Sequence, residues 1–453
     1  MGLAGGPTGP KAVFRDKFTG SFCKFEKLKN LTSTLGIERR QVLVVVDGNV
    51  LAMGAPSSIT TFSGFVTYFS MQISGAIEAG SHVVVVWDEP NSVTKAKKEE
   101  QSARDARRAA VVPVTSSDMQ RAPQTDDYTT SDLLDPDLNI RDVIGCRASR
   151  ARFHDQLCVA TMRYVRTHIT PGEWSLTFDG VDGRGADRPL GVKREAGVLS
   201  SDPQFWEPLL SRVTPIGEGD LKLSDVPARV HQKKLERSGS PVDDVTTNLL
   251  WTIDTDSIPI ELINQARRAG REDEEDADEH TFLCFREPTR KRRDEEPTPA
   301  HFLCCDMAAL YGDVMTYMYG SKYYQRLPGE RMMATALLAA GLAACGCDFV
   351  AIEGLRCDLI LPCVRDVVRT KPEALQTIKG VFGNDAHELH KGADALQQVL
   401  NSYQESLIGQ PRMQRATDKA SKATQGQMLR VLWTASYWCG YEYTDTLNWG
   451  FSD

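Results

Sequence analysis

The sequence has no apolar run approaching the roughly 18 residues of a membrane-crossing helix, and its start, "MGLAGGPTGP", has no signal-peptide core. These two absences predict a chain that is not a membrane protein and works inside the cell, in nucleus or cytoplasm. It has no C-x-x-C pair, and its densest thiol group, Cys345, Cys347, Cys357 and Cys363, has no histidine nearby to complete a zinc knuckle. Eleven cysteines without a leader point to reduced thiols, and these four read as small buried residues, a common fate of free cysteine. An excess of basic charge is also missing. The net charge of -8 would be odd for a protein that coats nucleic acid indiscriminately, although it hides local patches and a site crowded with acids would contribute to it. Charge therefore neither favours nor excludes a nucleic-acid partner, and no internal repeat stands out.

What is present is enough for a sizeable core: 453 residues, 41% of them hydrophobic, allow two or three domains or one large domain with insertions. "QVLVVVD" (41–47) is a continuous β-branched run ending in an acid, the pattern of a buried parallel strand with Asp47 at its C-terminal end. "HVVVVWDEP" (82–90) repeats the design with Asp88, and Pro90 stops it. Helix-like apolar spacing over 57–80 supplies the crossover of a βαβ unit. "LLWTIDTDSIPIELI" (249–263) is a third apolar strand ending in acids, Asp254 and Asp256. Helical patterns cover 94–110, 151–169, 330–345 and, as a polar stretch, about 372–424. Residues 113–140 read as a loop or insertion and 270–299 as a solvated insertion, while 170–205, rich in Gly, Asp and Pro, gives no clear element.

In a parallel sheet these strand ends, with Glu218 and Asp220 of "GEGD", would gather carboxylates at the carboxyl edge, where such folds place their sites. Acids within a few Å of one another repel unless cations hold them. Oxygen ligands without a matching His or Cys set point to Mg²⁺ or Mn²⁺, and a pair of such ions roughly 3.5–4 Å apart is the usual arrangement for phosphodiester hydrolysis. Taken singly, each acid is more often a strand-end turn residue or an N-cap.

Five segments in order, "VVVDGNVL", "VVVWDEPNSVTKAKKEEQSARDARRAA", "GEGDLKL", "TIDTDSI" and "GCDFV", resemble the flap endonuclease and 5′ to 3′ exoribonuclease superfamily, as a viral or divergent member. The resemblance covers roughly residues 40–370 and implies an α/β fold: a PIN-like parallel-sheet nuclease core flanked by helices, with insertions near 111–145, 170–205 and 265–300. Residues 1–39 would be a lead-in and 371–453 a mostly helical C-terminal extension. It implies two Mg²⁺ or Mn²⁺ ions held by Asp47, Asp88, Glu218, Asp220, Asp254, Asp256 and Asp348, all seven positions being acidic. In the basic stretch after Asp88, it implies Lys95 and Arg104 at the scissile phosphate and Lys97, Lys98, Arg107 and Arg108 along the nucleic acid. A solvated helix face is the alternative for Lys97, Lys98 and Arg108. The implied substrate is DNA or RNA with a free 5′ end, and the choice between them, and between endo- and exonuclease, stays open. So does an inactive nuclease-fold binding protein, which loss of any of the seven acids would have favoured. Two departures stand out: "VLAMGA" offers Met53 where the family stacks an aromatic or His side chain on a terminal base, and "VAIEGLRCDLILPC" offers only Gly354 toward the family's duplex-binding hairpin.

Overall fold

A computed structural model describes residues 9–56, 58–59, 61–87, 147–168, 172–179, 190–195, 198–200, 219–236, 242–270, 279–287, 300–347, 349–382, 386–407 and 423–440. The first half of the chain gives α1 (Pro10–Lys17), β1 (Phe22–Phe25), α2 (Leu28–Leu35), β2 (Val42–Asp47), α3 (Gly48–Met53), α4 (Phe62–Ala79), β3 (His82–Val86), α5 (Arg147–His168), β4 (Trp174–Phe178), β5 (Leu190–Glu195) and β6 (Val198–Ser200). The second half gives α6 (Gly219–Glu236), β7 (Thr247–Thr252), α7 (Ser257–Arg268), β8 (His280–Glu287), β9 (His301–Asp306), α8 (Met307–Tyr319), α9 (Pro328–Ala344), α10 (Cys357–Thr370), α11 (Pro372–Thr377), α12 (Ala386–Ser406) and α13 (Gln425–Trp438).

The strands form one mixed sheet of order β1-β9-β8-β7-β2-β3-β4-β5-β6, so the architecture is α/β. β7, β2, β3 and β4 run parallel, and β5 and β6 add on antiparallel at one edge. Every residue of β2 and β7 is buried, as expected for inner parallel strands covered on both faces. The continuous Val and Leu runs of the sequence follow from that double cover. The crossover from β2 to β3 is α3 followed by α4, whose N-terminus Thr61 caps by accepting from the Gly64 N–H at 3.1 Å. α4 packs on β2 and β3, and its exit needs Gly80: a Cβ there would lie 2.8 Å from the Val42 carbonyl oxygen.

The chain divides into two compact units. The sheet unit comprises residues 24–253 and 284–303, and the helical unit residues 1–23, 254–283 and 304–453. In the helical unit α9 is the central element, buried from Met333 through Ala344, and α7, α10 and α13 pack against it. Its small residues, "ATALLAAGLAA", let those neighbours approach closely. Residues 371–453, read as an extension, share this unit with 304–370.

Two stretches differ from the sequence reading. Residues 270–299 are not simply solvated, because β8 runs through them with six of its eight residues buried. Its apolar "TFLCF" is flanked by acidic and basic runs that dominate the local composition. Residues 170–205 contain β4, β5 and β6, and β4 pairs in parallel with β3. Among the described residues no helix is long and apolar enough to cross a membrane.

Candidate functional site

The parallel register brings the carboxyl ends of three neighbouring strands level. Asp47 of β2 pairs with Val86 of β3, Val85 pairs with Phe178 of β4, and the Asp179 N–H donates to the Val85 carbonyl at 2.8 Å. Asp47 and Asp179 are thus separated by one intervening strand, or about 10 Å between Cα atoms at the usual spacing of parallel strands. Asp47 is buried, and its Oδ1 accepts from the Val50 N–H at 3.1 Å, capping α3. The next residue has to be glycine: a Cβ on Gly48 would lie 2.7 Å from the Trp87 indole. Trp87 itself is fixed, fully buried and stacked between Phe69 (centroids 5.8 Å apart, planes at 11°) and His154 (3.9 Å, 28°). The strand end that leads into Asp88 is therefore held by packing on both sides, while Asp88 lies outside the described residues.

Asp220 sits in the first turn of α6, where a negative side chain is favoured by the partial positive charge of the helix N-terminus. Two contacts give the helix its direction. Lys222, completely buried, donates from Nζ to Asp179 Oδ2 at 2.5 Å, and Lys234 near the other end donates to the Val245 carbonyl just before β7. The N-terminus of α6, with Asp220, consequently lies at the carboxyl edge of the sheet, and the helix packs on β2, β3 and β7. Glu218 immediately precedes it, outside the described residues.

In the helical unit Asp254 and Asp256 lie in the turn between β7 and α7, two and four residues past the strand end. The Asp256 N–H donates to Asp254 Oδ1 at 3.2 Å and the Ser257 hydroxyl donates to the Asp254 carbonyl at 2.6 Å, which folds the turn so that Asp256 is buried. The loop after α9 reaches the same place. Desolvation first, then the charge of Asp256, push the Cys347 thiol up to about 12, so the field of that carboxylate reaches the thiol. The Cys347 N–H closes on the Val350 carbonyl at 2.8 Å, and the Phe349 ring meets Trp433 and Tyr437 edge-on at 5.2 and 5.4 Å. Asp348, between Cys347 and Phe349 in the sequence, is outside the described residues.

Sequence reasoning missed Asp179 and Lys222. The signal was available: "WSLTFD" is a further apolar run ending in an acid, and Lys222 belongs to the "GEGDLKL" segment already singled out. Among the described residues no group of three or more His, Cys, Asp or Glu side chains is placed to hold a metal ion. Asp88, Glu218 and Asp348 lie outside those residues, as do Lys95, Lys97, Lys98, Arg104, Arg107 and Arg108. No family model matches the chain, and no curated protein is significantly similar to it.

Proposed function

We propose that the chain is a divalent-metal-dependent 5′ nuclease with a PIN-like core, hydrolysing phosphodiester bonds of DNA or RNA near a free 5′ end. The observation that carries this reading is the carboxyl edge of the sheet unit: Asp47 and Asp220, from two separate motifs of the resemblance, are both delivered to that edge by parallel strands and a helix N-terminus. Asp254 and Asp256 supply the same chemistry in the helical unit, where the charge of Asp256 reaches the Cys347 thiol of "GCDFV". The donor set consists of carboxylate oxygens, which suits Mg²⁺ or Mn²⁺ and not a soft metal.

Bound cations would supply activation of water and stabilisation of the leaving oxygen. The chain's own part is to supply acids, Asp47, Asp88, Glu218 and Asp220 in the sheet unit and Asp254, Asp256 and Asp348 in the helical unit, and to neutralise the phosphate being cleaved. Lys95 and Arg104 take the second role, with Lys97, Lys98, Arg107 and Arg108 gripping the strand. Positive groups aimed at charge that builds in the transition state raise turnover more than affinity.

The test is a cleavage panel of 5′-labelled single strands, flaps and duplexes, in DNA and RNA, with Mg²⁺ or with EDTA, together with circularised versions of each substrate. Cleavage that needs Mg²⁺ and a free 5′ end, and is abolished by Asp254→Asn in a protein of unchanged melting temperature, is the expected result. Efficient cutting of closed circles would replace the 5′ mode by an internal one. Binding without cleavage of any substrate would mean a nuclease fold used as a binding module.

A further inference from the structure

Lys222 is in an unfavourable place for a lysine. Its side chain is fully buried, which strips the ammonium of water, and it lies in the first turn of α6, where the helix dipole disfavours a cation. Asp179 compensates it at 2.5 Å and is itself 4% exposed. Buried ion pairs of this kind are often matched or exceeded in stability by apolar side chains of similar size. Stability alone therefore does not account for the pair, and its location offers another use. It joins the end of β4 to the turn that carries Asp220, two residues before Lys222.

We propose that Asp179 and Lys222 are positioning residues for the carboxylates at this edge of the sheet, a role that rests on the metal-dependent nuclease reading above. Residues two apart on an α-helix lie about 200° from each other around its axis. Clamping Lys222 to β4 thus sets the rotation of α6 about that axis and, with it, the direction in which Asp220 is presented. The clamp is rigid at both ends: Asp179 is tied to β3 through its backbone N–H, and α6 is packed on β2, β3 and β7. Neither residue needs to touch a cation. The buried pair holds the acid-bearing turn in place before any cation arrives, as outer-sphere partners do at other metal sites.

The deciding variant is the double substitution Asp179→Leu with Lys222→Met, which replaces the pair by apolar groups of similar volume. It should melt close to the wild type, bind Mn²⁺ about tenfold more weakly by electron paramagnetic resonance titration, and lose kcat with KM for a 5′-labelled oligonucleotide unchanged. A merely structural pair would leave Mn²⁺ affinity and kcat at wild-type values in the folded double variant, and that result overturns the proposal. If the double variant does not fold, Asp179→Glu decides. It keeps the ion pair but shifts it by one methylene, and should weaken Mn²⁺ binding in the same direction, whereas wild-type affinity in it overturns the role. A wild-type protein that neither binds Mn²⁺ nor cleaves any strand would instead remove the nuclease reading on which the role rests.

Discussion

The two acid-bearing regions hold their carboxylates by different means. In the sheet unit Asp47 and Asp179 stand at the ends of fully hydrogen-bonded strands, and their charges meet a backbone N–H and a buried ammonium respectively. In the helical unit Asp254 and Asp256 are set by a tight turn, and the charge of Asp256 reaches the Cys347 thiol of the neighbouring loop. One region is placed by long-range sheet register, the other by hydrogen bonds between residues two or three apart. Removal of one charge should therefore be costly in the first and mild in the second.

The sharpest way to break this contrast is to compare Lys222→Met with Asp254→Asn by urea denaturation. Lys222→Met leaves Asp179 buried without its cation, and removing one partner of such a pair costs about 3–5 kcal/mol. Asp254→Asn keeps a side-chain oxygen to accept the Asp256 N–H and should change stability by no more than about 0.5 kcal/mol. Equal losses in the two variants would mean that the regions are not held differently after all.

A smaller effect within the sheet unit comes from Gly48→Ala. The added methyl would meet the Trp87 ring at 2.7 Å, and that ring cannot swing aside because Phe69 and His154 sandwich it. Overpacking of this kind costs about 1–3 kcal/mol, and here it would also disturb the strand end leading to Asp88. Thermal melts should show the loss, and a second change of Trp87→Phe, which shrinks the ring, should recover part of it. No recovery would place the strain elsewhere.

How much of this was legible in the sequence depended on whether an element's signal stood clear of its surroundings. β2 and β3 were legible because inner parallel strands are apolar on both faces, so their runs are unbroken and end abruptly at an acid, Asp47 in one and Asp88 in the sequence of the other. α9 was legible for the same reason, with twelve consecutive buried residues. β8 was obscured by "GREDEEDADEH" before it and "RKRRDEEP" after it, and β4 by a Gly- and Asp-rich stretch. The acids could be picked out by their place after apolar runs, but no local pattern says that a lysine two residues past Asp220 turns inward to meet a strand 43 residues earlier. That pairing exists only once β4 has taken its place beside β3.

The finest test concerns the placement of Asp256 beside the 345–350 loop, and it can be read from one thiol. The Cys347 thiol is pushed up to about 12 from an ordinary value near 9, first by the desolvation of its half-buried sulfur and second by the negative charge of Asp256. A thiol whose folded pKa is raised adds stability that is whole below the unfolded value and is lost as pH climbs through the folded one, so the alkaline limb between about 9 and 12 carries its signature. Asp256→Asn removes the second cause and leaves the first. The pH profile of iodoacetamide alkylation at Cys347, followed by peptide mass spectrometry, should therefore move to lower pH in that variant yet remain above that of an exposed cysteine. Asp254→Asn, which removes a charge not among the causes raising the thiol, should shift it less. An unchanged profile in Asp256→Asn would separate the acid turn from the Cys347 thiol.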